Sequence, residues 1–327
     1  MLRPAGLENG YFAMICLAYQ IIRWTRPRAG TGLNRLNYDL HCHSSISDGV
    51  LSPALLVQRA AEKGVDVLAL TDHDDVGGLG EAAQAAAAVG IGFVNGVEIS
   101  VTWSGVTLHV VGLNIDAGNA VLQAGLTGIQ LGRRERAERI GLELGKHGIP
   151  DAFEGAQRHA ANPRMIGRTH FARFLIEQGV CKDVRSVFKK YLVRGRPGYV
   201  THEWTALENA VAWIRAAGGQ AVLAHPGRYD LKGKATRRLL GEFRELGGEG
   251  VEVVTGSHTP DQHALFAELA NLYGLTASRG SDFHAPGEYG RELGGGPELP
   301  VQCTPIWHNW HLTSARHTRA ASKTVPN

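Results

Sequence analysis

The chain has 327 residues, of which 43% are hydrophobic and 20% are charged, and its formal net charge is +3. This length and apolar content suffice for one barrel domain with an insertion around a substantial core. So small a positive excess does not indicate binding to long duplex nucleic acid, and no long basic tract interleaved with aromatic residues occurs.

The four cysteines, Cys16, Cys42, Cys181 and Cys303, are widely separated. They form no CxxC pair, so the sequence indicates neither a disulfide framework nor a thiolate zinc site. This cysteine usage favours a reducing compartment, and we expect a cytoplasmic protein.

Residues 1–36 precede the motifs that carry chemistry. Their apolar stretch, residues 11–22, is too short to span a membrane comfortably and lacks a convincing signal-peptide cleavage site. We expect residues 1–36 to be a disordered extension or a mis-set start, with a weak membrane anchor as the alternative. At the other end, we expect the polar and basic tail, residues 308–327, to be flexible.

The first motif is Asp39-Leu-His-Cys-His-Ser44, which Asp48 follows. Residues 36–40 favour a short strand. Because side chains alternate along a strand, His41 and His43 should project to one side and Cys42 to the other. Such a pair alone is a weak indication of metal binding, since surface and structural histidines are commoner.

Later segments repeat this arrangement, with a ligand-type residue at or near the end of an apolar run. Thr71-Asp-His-Asp74 follows residues 65–70, Glu98 follows 91–97, His109 lies in 106–111, His225 follows 220–224, and Asp282 and His284 follow 275–281. Ser104-Gly105 predicts a hairpin turn that brings Glu98 towards His109. Histidines and acids placed independently have no reason to share these positions, so the recurrence indicates a metal cluster at the carboxyl ends of barrel strands.

Together these segments resemble the motifs of the PHP family, named for polymerase and histidinol phosphatase, over residues 37–307. Phe188-Lys-Lys-Tyr-Leu192 and Ser281-Asp-Phe-His-Ala-Pro-Gly287 make the chain similar to the stand-alone bacterial members that act as nucleoside 3',5'-bisphosphate phosphatases and 5'-to-3' exoribonucleases. The resemblance implies an α/β fold, a distorted (β/α)7 barrel formed by residues 37–116 and 201–307, with a trinuclear metal centre.

The same resemblance implies how three divalent ions are held. His41, His43, Glu98 and Asp282 would hold one ion, Glu98 would bridge to a second held by His109 and His225, and Asp48, His73 and His284 would hold the third. Mixed imidazole and carboxylate ligation favours manganese, zinc or iron over calcium or magnesium, and the family favours manganese. Asp72 and Asp74 are candidates for orienting His73 or nearby water, with a surface role as the alternative.

The expected chemistry follows from charge. Clustered divalent ions lower the pKa of a bound water, orient it for in-line attack on phosphorus and neutralise the attacking and leaving oxygens. No protein nucleophile is needed, so Ser44, Ser45 and Cys42 are not nominated as covalent catalysts.

Residues 117–200 interrupt the alternation of strands and helices with long helical patterns, which predicts a helical insertion over the barrel mouth. Arg168, Lys190 and Arg133 are its candidates for binding a second phosphate, because guanidinium groups bind phosphate bidentately and lysine supplies a compact charge. The alternative for each is a solvated, salt-bridged helix face.

The sequence therefore predicts a metal-dependent phosphoesterase that removes the 3'-phosphate from nucleoside 3',5'-bisphosphates, or cleaves nucleotides from the 5' end of short 5'-phosphorylated RNA. Both reactions break a bond at the 3'-oxygen beside a bound 5'-phosphate. The alternatives are a histidinol-phosphate phosphatase and a catalytically silent, metal-stabilised module in an assembly, although the intact ligand set argues against silence. A small nucleotide or short RNA is the expected partner, no membrane is expected, and the oligomeric state is left open.

Overall fold

A computed structural model of the protein describes residues 36–288 and 291–310. The predictions for residues 1–35 and for the tail from residue 311 onward fall outside this described part. Within it, no helix combines the length and the apolar character needed to cross a membrane.

In the described chain eight strands form one sheet. They are β1 (Tyr38–Asp39), β2 (Val67–Leu70), β3 (Gly92–Trp103), β4 (Val106–Leu113), β5 (Thr205–Ala206), β6 (Gln220–Leu223), β7 (Gly250–Thr255) and β8 (Thr276–Gly280). The spatial order is β1-β2-β3-β4-β6-β7-β8, with β5 beside β3. The β4 strand runs antiparallel to both β3 and β6, whereas the other neighbours are parallel.

The sheet curves until its two outer strands meet. The amide of Leu40 donates to the carbonyl of Arg279 at 3.0 Å, and the amide of Asp282 donates to the carbonyl of His41 at 2.8 Å. These bonds join the chain after β1 to the end of β8, so the sheet is a nearly closed barrel. The predicted distorted (β/α)7 barrel is confirmed, and the reversed β4 is what distorts it.

One helix lies between successive strands, except that a hairpin joins β3 to β4 and several helices lie between β4 and β5. The helices are α1 (Pro53–Glu62), α2 (Leu79–Val89), α3 (Ala120–Lys146), α4 (Ala152–Arg158), α5 (Arg168–Glu177), α6 (Val184–Val187), α7 (Leu207–Ala216), α8 (Gly233–Glu245) and α9 (Pro260–Leu272). Short 3₁₀ turns cover Pro163–Met165 and Pro226–Arg228, and a π-helical turn covers Phe188–Leu192.

Local sequence explains where several elements begin. Ser52 caps α1 by accepting from the amide of Leu55 at 3.3 Å, and a proline occupies the first turn, where its missing N–H costs nothing. The β2 strand is fully buried, as its unbroken apolar run predicts for a parallel strand covered on both faces. The predicted hairpin at Ser104-Gly105 joins β3 to β4, and Ser104 has φ of 48°.

Two apolar clusters lie on the two faces of the barrel wall. Leu68 and Leu70 belong to the large cluster between the sheet and its helices, whereas Val67 and Ala69 belong to a small cluster with Val111 and Val222 from other strands. Because side chains alternate along β2, the small cluster fills the barrel interior. It forms the packed base beneath the residues that follow the strand ends.

The segment between β4 and β5 has an apolar cluster of its own, formed by α3 to α6 and the π-helical turn, with Phe171 at its centre. The long helix α3 contributes to two clusters, since Leu122 and Leu126 pack with the barrel whereas Ile140 and Leu144 pack in the insertion. Only the first part of the predicted insertion, up to Ile129, thus packs as part of the barrel shell. The helix thereby holds the insertion against the barrel mouth.

Candidate metal centre and substrate pocket

All nine predicted metal ligands meet at one end of the barrel. They come from the turn after β1 (His41, His43, Asp48), from the turn after β2 (His73), from β3 and β4 (Glu98, His109), from the end of β6 (His225) and from the turn after β8 (Asp282, His284). Their potential ligand atoms fall into four overlapping groups, and within each group the atoms lie within 4.8 Å of one another. One expectation needs correction, since Glu98 lies within the long β3 rather than after a strand.

The His41–His43 pair faces one carboxylate pair, as the period of a strand predicts. The two Nε2 atoms are 3.2 Å apart, and His43 Nε2 lies 3.3 Å from both Glu98 Oε2 and Asp282 Oδ1. Cys42 points away into the large apolar cluster, and its thiol donates to the carbonyl of Ala69 at 3.2 Å.

Glu98 lies at the centre of the cluster. Its Oε1 is 2.9 Å from His109 Nδ1 and 2.9 Å from His225 Nε2. Its Oε2 is 2.9 Å from His73 Nδ1 and 3.3 Å from His41 Nε2. A carboxylate between so many imidazoles can bridge ions, which is the role predicted for it.

The group around Asp48, His73 and His284 has one more member than the resemblance implied, since His43 also belongs to it. Asp48 Oδ1 lies 3.3 Å from His284 Nε2 and 3.9 Å from His73 Nε2. The ring of His43 also packs here, with its centroid 4.3 Å from that of His284. His43 therefore lies between two groups, and the division of ligands among ions at this position is not determined by the sequence motifs.

The donor set fits divalent metal ions. Asp48 Oδ1, Glu98 Oε2 and His73 Nδ1 are buried yet have no hydrogen-bond geometry to any described atom, despite their short separations. Buried polar atoms are normally hydrogen-bonded, so a group of them converging at ligand distances requires another partner. Imidazole nitrogens mixed with carboxylate oxygens suit transition metals.

Electrostatics favour the metal-binding protonation states of Glu98, His43 and His225, whereas neighbouring carboxylates raise the pKa of His41 and His73. Burial raises the pKa of Glu98, but His109, His73 and His41 outweigh it and hold that pKa well below its ordinary value. Burial, with the neighbouring His284, lowers the pKa of His43 to about 3. Burial, with Arg228 close by, also lowers the pKa of His225 to about 3. Ionised carboxylates and neutral imidazoles are the forms that bind metal.

Two ligand candidates are held in unusual backbone conformations. His225 has φ of 28° and Asp282 has φ of 56°, values that cost L-residues free energy. Arg228 NH1 donates to Asp282 Oδ2 at 2.6 Å, which fixes the second carboxylate oxygen. Such strain at neighbouring strand ends is typical of functional sites.

Sequence reasoning missed Glu252, which lies on β7 and is buried. Its Oε1 is 2.7 Å from His41 Nδ1, and its Oε2 accepts from the amide of His225 at 2.7 Å. An ionised carboxylate only accepts, so His41 donates through Nδ1 and keeps Nε2 for a metal. The signal was a carboxylate inside the apolar run Gly250-Val-Glu-Val-Val-Thr255.

For Asp72 and Asp74 one of the two expected roles needs correction. Both are buried, so the surface alternative is wrong. Asp72 accepts from the amide and hydroxyl of Ser44, at 2.7 and 2.6 Å, and from the hydroxyl of Ser47 at 2.6 Å. The Asp72 side chain therefore shapes the turn that carries Asp48, and its hydrogen bonds come from Ser44 and Ser47 rather than from His73. Burial raises the pKa of Asp72 to about 6.

A cavity of about 220 Å³ joins the cluster to the insertion. Its lining includes Asp48, His73, His109, Asp282 and His284, and also Arg133, Arg136, Arg168, Phe188 and Trp204. The insertion contacts the cluster directly, since the hydroxyl of Thr169 donates to Asp48 Oδ2 at 2.9 Å.

The three predicted substrate-binding residues are placed differently. Arg168 lines the cavity with its guanidinium 5.4 Å from the ring centre of Phe188. Arg133 also lines it but is engaged by Asp74 and by the hydroxyl of Ser100. Lys190 is exposed on the π-helical turn and is not part of the cavity lining. Arg136, which lines the cavity, was not predicted.

A barrel whose strand ends carry such a cluster beside a cationic cavity defines a metal-dependent hydrolase. A model of the PHP domain matches residues 39–124. The chain is 54% identical over 271 residues to a 3',5'-nucleoside bisphosphate phosphatase of Chromobacterium violaceum, covering 83% of this chain and 95% of the relative. It is 43% identical over 273 residues to a 5'-3' exoribonuclease of Haemophilus influenzae, covering 84% of this chain and 98% of the relative.

A solved structure is similar to this chain as well. A structure described as an amidohydrolase from Chromobacterium violaceum, with bound sulfate and no metal, superposes with a TM-score of 0.82 at 52% identity, covering 85% of this chain and 98% of that one. The chain therefore belongs to the PHP family.

Proposed function

We propose that this protein is a metal-dependent phosphoesterase that removes the 3'-phosphate from nucleoside 3',5'-bisphosphates. The observation that carries the proposal is one cavity lined both by the metal-ligand cluster and by arginines of the insertion. A substrate with two phosphates matches that arrangement, because one phosphate can be cleaved at the cluster while the other is bound by guanidinium groups. The 54% identical relative is named for this activity.

The ligands are proposed to hold up to three divalent ions, with manganese as the metal of choice. His41, His43, Glu98 and Asp282 would hold one, Glu98, His109 and His225 a second, and Asp48, His73 and His284 a third, with His43 close enough to join the last group. When bound, such ions supply a water of lowered pKa and neutralise charge on the phosphoryl oxygens.

The chain's own residues prepare the site for this chemistry. Glu252 sets the tautomer of His41, Arg228 holds Asp282, and Thr169 holds Asp48. The hydroxyl of Ser44 is bonded to Asp72, and burial raises the pKa of the Cys42 thiol well above its ordinary value. Cys42 also points away from the ligands, and metal-activated water needs no protein nucleophile, so we infer that the attacking group comes from solvent.

Arg168 is proposed to contact the phosphate that is not cleaved. Arg133 supports the same wall through its ion pair with Asp74. Lys190 stays a prediction; it follows Phe188, which lines the cavity, by two residues in the chain.

A second candidate activity is 5'-to-3' exonucleolytic cleavage of short 5'-phosphorylated RNA. The relative from Haemophilus influenzae is named for it and is 43% identical over almost its whole length. Both substrates place a bond to the 3'-oxygen near a 5'-phosphate, so one site can serve both.

The test is phosphate release from adenosine 3',5'-bisphosphate by manganese-loaded protein. We expect Asp48→Ala and His225→Ala each to lower kcat/KM by at least about 10³-fold, because each removes a buried ligand from the cluster. His147→Ala, an exposed histidine outside the cluster, serves as the matched control. Activity retained in both ligand variants would contradict the site.

The preferred substrate is found by comparing the turnover of three compounds. Adenosine 3',5'-bisphosphate, histidinol phosphate and a 5'-phosphorylated oligoribonucleotide should be assayed in parallel at equal manganese. We expect turnover of the first and the third to exceed that of histidinol phosphate, which carries one phosphate and cannot use the arginines of the insertion. A preference for histidinol phosphate would overturn the assignment.

A further inference from the structure

The turn after β6 carries a tyrosine whose hydroxyl group lies within the barrel wall. The Oη atom of Tyr229 accepts from the amide of His109 at 2.9 Å and donates to the carbonyl of Ala224 at 2.8 Å. His109 belongs to β4, whereas Ala224 directly follows β6. One side chain therefore bridges two neighbouring strands at the rim where the proposed metal ligands lie.

This bridge takes the place of a direct hydrogen bond between the strands. The β4 and β6 strands are antiparallel with Val110 opposite Leu223, so the next opposed residues are His109 and Ala224. The amide of Ala224 donates to the carbonyl of His109 at 3.1 Å. In a regular ladder the two residues of such a pair exchange both of their N–H···O bonds. Here the second bond passes through the hydroxyl of Tyr229, so two hydrogen bonds in series span the gap that one normally spans.

The inserted hydroxyl lies beside two histidines that are proposed to hold the same ion. One of them, His109, donates to the hydroxyl, and the other, His225, directly follows Ala224. His109 Nδ1 and His225 Nε2 are 3.4 Å apart, and each lies 2.9 Å from Glu98 Oε1. The separation of β4 from the end of β6 thus determines how far apart the two imidazoles are presented to an ion.

The turn that carries Tyr229 is itself held on both sides of its backbone. The amide of Gly227 donates to His258 Nε2 at 2.9 Å, and its carbonyl accepts from Gln262 Nε2 at 3.0 Å. The ring of Tyr229 also packs against that of His225, with 5.6 Å between the ring centroids. A hydroxyl on a side chain fixed in this way can act as a spacer of constant length.

We propose that Tyr229 is a positioning residue of the metal centre, whose hydroxyl sets the spacing between His109 and His225 and so the affinity for the ion that they share with Glu98. The inference rests on the proposed function, in which this ion is one of up to three. Without the hydroxyl, the amide of His109 and the carbonyl of Ala224 either lose their partner or close to a direct bond. The first change loosens the two strands and the second draws them together, so each disturbs the pair of imidazoles.

The test is calorimetric titration of the chelator-treated full chain with manganese, comparing Tyr229→Phe with Tyr273→Phe. Phenylalanine keeps the ring and removes only the bridging oxygen. The control residue, Tyr273, lies between α9 and β8, at the opposite end of β8 from Asp282. We expect Tyr229→Phe to weaken one binding step about 10- to 100-fold, as the loss of a group that orients a ligand does, and Tyr273→Phe to bind as the wild type does.

A double-mutant cycle shows whether the hydroxyl acts through this ion. His109→Ala should weaken the same binding step, and adding Tyr229→Phe to it should cause no further loss, because the ion that the hydroxyl supports is already affected. Losses that simply add would overturn the proposal. Equal weakening of all binding steps, with or without a lower Tm of the chelator-treated protein, would also overturn it, since the hydroxyl would then support the barrel as a whole.

The titration needs no substrate, so its result is independent of phosphate release. A wild type that binds no manganese would reject the proposed function together with this inference. If the wild type binds manganese and Tyr229→Phe binds it as tightly as Tyr273→Phe does, only the role of Tyr229 is rejected.

Discussion

Glu98 shows how much of the centre depends on single side chains. It has no exposed surface and lies within about one hydrogen-bond length of several imidazoles, so no solvent competes for its charge. Glu252, which supports the cluster, is likewise buried. A buried carboxylate must have both oxygens satisfied, and Glu252 meets this requirement by contacting two ligand candidates at once.

We predict that Glu252→Gln weakens binding of manganese about 10- to 100-fold. The glutamine side chain has one oxygen and one NH2 group, so it cannot offer an acceptor atom at both the His41 Nδ1 and the His225 backbone N–H positions. The measurement is calorimetric titration of chelator-treated protein with manganese. It needs no substrate, so it reports on ligand positioning alone.

Glu249→Gln is the control for this substitution. Glu249 lies just before β7, and its carboxylate accepts from Gln220, remote from the ligands. The two variants should therefore differ in manganese affinity. If Glu252→Gln binds manganese as tightly as Glu249→Gln does, Glu252 has no positioning role.

At the scale of elements, the insertion depends on close approach between its helices. Gly155 on α4 packs against α5 so tightly that an added Cβ would lie 2.3 Å from a ring carbon of Phe174. This contact is central to the insertion cluster, which places α5 and the cavity residues Arg168 and Thr169 over the barrel mouth. The glycine is thus required by packing rather than by backbone conformation.

We predict that Gly155→Ala lowers the free energy of unfolding by about 1–3 kcal/mol, since overpacking forces the helices apart. Gly128→Ala on α3 should instead raise it by about 0.5–1 kcal/mol, because nothing lies within 4 Å of the added methyl and alanine favours a helix. Chemical denaturation of both variants measures the difference. Equal effects of the two substitutions would contradict the close packing of α4 against α5.

At the scale of the whole molecule, the proposed ions join segments that are far apart in the chain. The cluster draws on the turns after β1, β2, β6 and β8 and on β3 and β4. Because its carboxylates are buried and held ionised by neighbouring imidazoles, bound cations should stabilise the native state and have little affinity for the unfolded chain.

We predict that manganese at about 100 times its Kd stabilises the fold by about 2.7 kcal/mol, which raises Tm by about 5 °C for a chain of this size. Scanning calorimetry with manganese or with chelator measures the shift. In His225→Ala the shift should shrink, since a ligand is missing. A Tm that is the same with manganese and with chelator would contradict metal binding at the cluster.

The barrel and most of its site were predictable because their signals are local. A ligand-type residue directly after an apolar run marks a strand end, and the turn at Ser104-Gly105 marks a hairpin. Each of these patterns occupies fewer than about ten residues, so the sequence alone contains it. Six histidines and three carboxylates in such positions then predicted one cluster, because the strands of a barrel end at a common rim.

Tertiary structure alone decided which side chains support that cluster. His41 and Glu252 are 211 residues apart, and only the closure of the barrel brings their atoms to 2.7 Å. The pairing of Arg133 with Asp74, while Arg136 has no ion pair with a carboxylate of the described residues, likewise depends on how α3 packs against the barrel. Periodicity places both arginines on one face of a helix, but which of the two is neutralised depends on a contact that no local pattern records.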